Sequence, residues 1–416
     1  MPTVKRGSMV NQERDLIMIN KTVNMKFSKR GEALIGQEMF RLLDLAKNLE
    51  REGKHIYHLE LGEPKNYRGA KNYPPGRVIN ATIISLLNCN VGYTSSYGLL
   101  SLRQKLSDYY YGKFNKQIKI ESIAISPANM LIYQILDIIC ERNDRVAVFT
   151  PAFPSYIASC KYVGVKMHQI PLSIKNNFQL TKEDIDRVFS IKPKAIFVNS
   201  GNNPTGAVYE EKILKYLLEQ AIKHNCWLIS DETYGMLSYN REYFSMVSLD
   251  YEKLIVISSF SKIFSIPGFR VGYVIADPRV VNKISLSSST IYSCLPIFTQ
   301  EGVMEGISII NEFTEDRKRY YKKLSNECMK ILHTSNFLVC VKPESAFYLF
   351  IDIRRLKIDD KLFCNRLLKE YRTTVTPGTS FGYEGFIRAS FCGNTDEVKK
   401  GLRQIVLFAE SLGRKY

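Results

Sequence analysis

Three polar residues stand a few places beyond short apolar runs. Asn203 follows the run at 195–198, Asp231 the run at 227–229, and Lys262 the run at 254–257. Each run reads as a buried strand. Open α/β sheets bind ligands at the carboxyl ends of their strands, so the three groups belong to one edge of one sheet. Alone, each would be an ordinary cap or turn residue. Together, an amide, a carboxylate and an amine can carry out proton transfer and covalent amine chemistry. The amine attacks, or accepts a proton, only when deprotonated, and partial desolvation beside cations favours that form. A fourth group, Arg388, lies on the apolar run 386–391, where an unpaired arginine is costly to bury.

The elements that must position these groups alternate. Residues 130–140 read as a buried helix and 146–149 as a strand ending at Pro151. The strand at 195–198 leads into a turn over 201–206. Ile213, Leu214, Leu217, Leu218, Ala221 and Ile222 then make a helical stripe, and strands follow at 227–229, 254–257 and 271–275. This alternation predicts an α/β domain with a mostly parallel sheet between helices. Upstream, Met39, Leu42, Leu43, Ala46 and Leu49 share one face of a helix over 35–49. A strand is expected over 56–61 and a helix over 78–87. Beyond about residue 300 the texture changes. A long helical region over 307–332 precedes strands at 337–341 and 346–351, a helix at 361–371, a strand at 386–391 and a final helix. We expect an N-terminal extension over 1–26, a large domain over 63–300, and a smaller α+β domain built from 27–62 and 301–416.

With these residues in place, Asn203-Pro204-Thr205-Gly206, Asp231-Glu232-x-Tyr234, and Ser259-x-Ser261-Lys262 followed by Gly268-Phe269-Arg270 resemble the fold-type I pyridoxal-phosphate aminotransferases of class I and II. The resemblance runs from about Phe27 to the C-terminus and implies a seven-stranded type of sheet. It also implies pyridoxal 5'-phosphate as cofactor and a homodimer. Lys262 would hold the cofactor aldehyde covalently and move the proton between the substrate α-carbon and the cofactor. Asp231 would pair with the protonated pyridine nitrogen. Asn203 and Tyr234 would hydrogen-bond the ring's phenolate oxygen. Arg270, Ser259 and Ser261 would take the phosphate, with the N-terminus of the helix entered by Ser126-Pro127-Ala128-Asn129. The family usually carries glycines where this chain has Pro127 and Ala128.

Phe153 aligns with the aromatic that stacks on the cofactor ring, and Tyr93 with a tyrosine that reaches a neighbouring subunit's phosphate. Arg388 would clamp the substrate α-carboxylate, with the Gly62 backbone beside it. Asn129 occupies a place where dicarboxylate-using relatives often carry lysine, so a preference for non-acidic amino acids is expected. Lys65 and Arg68, near the substrate-side loop, are the alternative source of that charge. The implied activity is transfer of an amino group from an L-amino acid to a 2-oxo acid by a ping-pong mechanism. A lyase, decarboxylase, cyclase or oxidase on the same cofactor is the alternative, and a non-catalytic regulator the more distant one.

Composition narrows the classes. With 416 residues, 45% hydrophobic and 12% aromatic, the chain can bury a large core, which excludes a disordered or collagen-like protein. Lys plus Arg number 58 against 41 Asp plus Glu, a formal net charge of +17. The basic residues are scattered rather than blocked, which points to a solvated surface and not to a nucleic-acid partner. Nine cysteines without a C-x-x-C pair or metal-ligand spacing read as reduced, mostly buried thiols of a cytoplasmic protein, with no metal site. No apolar run approaches the roughly 18–20 residues of a membrane span. Residues 1–26 lack the apolar stretch of a signal peptide.

Overall fold

The computed structural model describes residues 26–64 and 73–414. Residues 1–25 of the expected extension, together with Lys65 and Arg68, lie outside the described residues. The chain divides after Leu34 into two compact units. In the first, a single helical turn, Lys29–Glu32, is capped by Ser28, whose hydroxyl accepts the Gly31 N–H at 3.1 Å. The second, from Ile35 onward, holds the sheets.

In chain order the described strands are β1 Tyr57–His58, β2 Ile123–Ser126, β3 Arg145–Thr150, β4 Lys166–Pro171, β5 Ala195–Val198, β6 Trp227–Asp231, β7 Leu254–Ser259, β8 Gly272–Ile275, β9 Val339–Cys340, β10 Tyr348–Asp352, β11 Thr373–Thr374, β12 Thr376–Pro377 and β13 Phe386–Ser390. Seven of them form one sheet in the order β2-β8-β7-β6-β5-β3-β4. Its pairings are parallel except those of β8, which runs against both β2 and β7. Both faces are covered, which is why its strands read as unbroken apolar runs. Ile196, Leu228 and Val256 enter the core on one face, and Phe197, Ile229 and Ile257 the core on the other.

A second sheet, β12-β13-β10-β9, is antiparallel, and β1 pairs separately with β11. Here alternation decides which way the arginine points. Ile387 and Ala389 face a hydrophobic core shared with Leu349, Ile351 and the C-terminal helix Thr395–Gly413, so Arg388 between them faces away from it.

Three sequence expectations need correction. The strand expected over 56–61 is only Tyr57–His58. Beyond it the chain bends at Glu60 and Leu61, and Leu59 meets two different neighbours, its N–H donating to Thr374 O and its O accepting from Ser390 N–H. The helix expected over 307–332 starts later, at Ile310–Leu332, because the backbone leaves the helical region at Ile309, and a separate helix, Ile297–Ile307, precedes it. The strand expected over 337–341 shrinks to Val339–Cys340. The edge strand β4 was not anticipated, because its run Lys-Met-His-Gln-Ile-Pro lacks an apolar signal. All nine cysteines are free, and only Cys89 is exposed.

Candidate active site

β5, β6 and β7 are neighbours in the sheet and parallel, so their carboxyl ends lie side by side about 4.8 Å apart. The turn after β5 carries Asn199 and Asn203, β6 ends on Asp231, and β7 ends on Ser259. Ser259 also caps the one-turn helix Phe260–Ile263, accepting the Ser261 N–H at 3.2 Å, and that turn presents Lys262. The three groups picked out from spacing alone therefore share one edge.

Gly272 joins a further element to this edge. It pairs with Ser126 on β2 and with Ser259 on β7. A Cβ there would lie 2.7 Å from Ser258 O and 3.1 Å from Ala128 N. Only glycine lets the two strands close in and bring the helix Ala128–Ile139 to Ser259. Pro127 stands at the N-cap of this helix, a place where its missing N–H breaks no helical bond. Ala128 and Asn129, the first helix residues, have N–H groups without an intrahelical acceptor.

A cavity of roughly 420 Å³ opens over this edge. Gly62, Ala128, Asn129, Phe153, Asn203, Asp231, Tyr234, Ser259, Ser261, Lys262, Arg270 and Arg388 all line it. Of the expected site residues only Tyr93 does not. It is 90% exposed on the surface.

Lys262 Nζ donates to Gly62 O at 2.8 Å. Burial, with Arg388 and Arg270 nearby, pulls the amine down to about 8. Gly62 is required because a Cβ there would lie 1.8 Å from the Tyr348 hydroxyl oxygen. Asp231 is buried, and burial pushes its carboxyl up. Two donors oppose that shift: Tyr156 OH at 2.5 Å on Oδ2 and Thr233 N–H at 3.0 Å on Oδ1. No cation pairs with Asp231 among the described residues. Tyr234 and Tyr348 share a hydroxyl hydrogen bond of 2.6 Å. Arg270 sits at φ 58° and donates to Pro267 O at 2.7 Å.

Arg388 is 1% exposed. Its Nη1 donates to Asn203 Oδ1 at 3.0 Å, and its Nη2 to Glu60 O and to Thr376 Oγ1. The guanidinium lies 4.4 Å from the ring centre of Tyr348 and 4.8 Å from that of Phe381. No carboxylate forms an ion pair with it among the described residues, and its Nε–H has no acceptor there. A buried cation with unused donors facing a cavity suits a planar anion.

The residues present fit pyridoxal phosphate: a solitary depressed amine, a buried carboxylate lacking a cation, and free helix N–H groups beside two serines and an arginine. Sequence reasoning missed several supporting residues. Tyr156, stacked on Phe197 at 4.6 Å, lies one helical turn after Phe153, and that spacing was a usable signal. Asn199 binds both neighbouring segments, accepting from Asn203 N–H and donating to Asp231 O, and its place one residue after β5 was equally readable. Tyr348, Phe381, Glu60 and Thr376 reach the site through tertiary pairing, which no local pattern marks.

Known proteins resemble this chain over most of its length. Residues 58–405 match the family model described as aminotransferase class I and II. An aspartate aminotransferase of Thermotoga maritima is 30% identical, the alignment covering 88% of this chain and 94% of the relative. A (5-formylfuran-3-yl)methyl phosphate transaminase of Methanocaldococcus jannaschii is 31% identical over 90% of this chain and 98% of the relative. Among solved structures, the aspartate aminotransferase of Thermus thermophilus with maleate superimposes with a TM-score of 0.87 at 25% identity, covering 92% of this chain and all of that one.

Proposed function

The chain belongs to the class I and II aminotransferase family, and we propose that it moves the amino group of a non-acidic L-amino acid to a 2-oxo acid, both substrates using one site in turn. The observation that carries this reading is a single cavity holding three groups without ionic partners among the described residues: the half-buried Lys262 amine and the buried Asp231 carboxylate and Arg388 guanidinium.

When bound, pyridoxal 5'-phosphate supplies the aldehyde that takes up the amino group and the electron-withdrawing ring that stabilises charge at the α-carbon. Lys262 would hold the aldehyde covalently. With its pKa near 8, about a quarter of the amine is neutral at pH 7.5, against about one in a thousand for an ordinary lysine. Nζ can then accept the α-proton and return it. Asp231 would hold a protonated ring nitrogen, with Tyr156 and Thr233 fixing the carboxylate. Asn203 and Tyr234 would take the ring oxygen. Arg270, Ser259, Ser261 and the helix start at Ala128 and Asn129 would hold the phosphate. Phe153 would cover the ring. Arg388 orients the substrate carboxylate, with Gly62 alongside.

Substrate choice is argued from the lining, since one relative is named for aspartate and another for a furan phosphate. Met39, Phe40, Leu61 and Ile132 are apolar, and Asn129 is an amide. The cavity's described cations, Lys262, Arg270 and Arg388, all have other tasks. The test is steady-state kinetics: kcat/KM for phenylalanine or methionine above that for aspartate supports the preference, and the reverse order refutes it. We also propose a homodimer of cytoplasmic location. The helix Gly76–Leu87 and the turn after it expose Ile83, Ile84, Leu86, Leu87 and Val91 beside Tyr93. A second copy would cover this apolar face and receive Tyr93 at its phosphate site. A monomeric, fully active enzyme in solution refutes the arrangement.

A further inference from the structure

Arg388 and Lys262 lean on the same three-residue stretch. Glu60 O accepts from Arg388 Nη2, and Gly62 O accepts from Lys262 Nζ. What holds this stretch is the Glu60 side chain. It is 1% exposed, accepts from Thr374 Oγ1, and meets His58 Nδ1 at 2.9 Å. The other ring nitrogen of His58, Nε2, meets Glu50 Oε1 at 3.1 Å. The three groups step inward from the surface, with side chains 44%, 12% and 1% exposed at Glu50, His58 and Glu60.

We propose that His58 is a positioning residue for the substrate-carboxylate clamp: its doubly protonated ring keeps the Glu60 carboxylate ionised and turned away from Arg388. This inference rests on the aminotransferase reading above. Both ring nitrogens face carboxylate oxygens, which accept and cannot donate while ionised, so only the imidazolium satisfies both contacts. Burial alone would push the Glu60 carboxyl up. The hydrogen bond and charge of His58, with Thr374, bring it below its ordinary value instead.

Without His58, Glu60 is a buried carboxylate lacking a counter-charge, and such a group neutralises or finds another cation. Arg388, already bonded to the Glu60 main chain, is adjacent. A Glu60–Arg388 pair would occupy the donors meant for substrate. His58 therefore acts on affinity more than on the proton transfer.

Other charged groups lie near the His58 ring among the described residues. Helix Glu38–Arg51 contributes Lys47 and Glu50, and the chain's own segment contributes Glu60 and Glu63. β11 brings the neutral Thr374, and Ser390 and Gly393 complete the small cavity beside the ring. The C-terminal helix packs on the other side of the segment, where its Gly401 meets Tyr57 and Leu59, and its Glu397 is bonded to His55. The hold on Glu60 is present while the ring carries both protons. It is lost as pH rises through the titration of His58.

The experiment is nitrogen NMR of the holoenzyme's histidine rings, with phenylpyruvate as the carboxylate probe. The chain has five histidines, and a His58→Gln spectrum assigns the signal. Both ring nitrogens of His58 should carry hydrogen at pH 7. Phenylpyruvate should raise the pH at which the second proton leaves, because coupling between the two sites is reciprocal. In kinetics, His58→Gln should raise the KM for the oxo acid about tenfold, more than it lowers kcat, and flatten the pH dependence of that KM. Glu50→Gln, a surface change that leaves the ring in place, should raise KM about threefold. A singly protonated ring at pH 7, a titration indifferent to the probe, or unchanged KM values overturns the proposal. The ring measurement does not need turnover. If no oxo acid is converted while the ring behaves as stated, the aminotransferase reading fails and the positioning of Arg388 stands.

Discussion

At the edge of the seven-stranded sheet, the polar groups of the cavity sit on the last residues of strands or in the turns just past them. In the four-stranded sheet, the arginine sits at the middle of a central strand, paired with Phe350 on one side and Thr376 on the other. Asn203, Asp231 and Lys262 owe their proximity to three parallel strands stopping at one level. Arg388 owes its aim to alternation within one strand and to a wall of aromatic rings and carbonyl oxygens. The first arrangement gathers several different groups around one large ligand. The second holds one group rigidly enough to orient a small anion. Two hydrogen bonds, Arg388 Nη1 to Asn203 Oδ1 and Tyr234 OH with Tyr348 OH, join the two directly, and the stretch from Glu60 to Gly62 touches both.

The sharpest break of this comparison is at the strand-end side. Lys262→Ala should lower half-transamination by about 10⁴-fold or more, measured as single-turnover loss of the cofactor's visible band with an amino acid donor. At the other end, Arg388→Lys keeps the charge but loses the planar fork. It should raise the KM of amino acid and oxo acid alike, lowering kcat/KM by about 10²-fold with a smaller change in kcat. Equal losses in kcat at both positions would erase the proposed division of labour.

A third outcome concerns stability. In cofactor-free protein the Lys262 amine titrates near 8 when folded and near 10.5 when unfolded. Between those values the unfolded chain binds more protons, so stability should rise with pH across that window. Lys262→Met should remove this rise and stabilise the cofactor-free protein at pH 7 by about 3 kcal/mol, read from urea unfolding at pH 7 and pH 10. The smallest effect is expected at Tyr156→Phe. Losing one donor to the Asp231 carboxylate should weaken cofactor retention about tenfold and leave the amino acid KM nearly unchanged. A matching rise in that KM would show the two ends to be coupled more tightly than two hydrogen bonds imply.

Legibility in the sequence followed the same division. The groups at the strand ends were readable because each follows an apolar run, and runs such as 195–198 and 254–257 are conspicuous when both sheet faces are buried. Arg388 was readable as an anomaly, a charge on an apolar strand. Its neighbours were not. Tyr348 and Thr376 lie on strands paired through tertiary register with β13, and Phe381 on the turn between β12 and β13. Glu60 looked like one acidic residue among 41 Asp and Glu. The edge strand β4, half solvent-exposed and mixed in composition, carried too weak a pattern.

Amino-acid order was enough to establish an α/β framework, an amine, a carboxylate and an amide at one edge of it, and the family whose motifs these are. Those are local matters of apolar runs, turn residues and spacing. Folding settled which donors and acceptors each charged group meets: the Gly62 carbonyl for Lys262, Tyr156 for Asp231, and the Glu60 carbonyl for Arg388. The reason is that burial and hydrogen bonding depend on atoms brought together from distant parts of the chain, and those distances exist only once the sheets have formed.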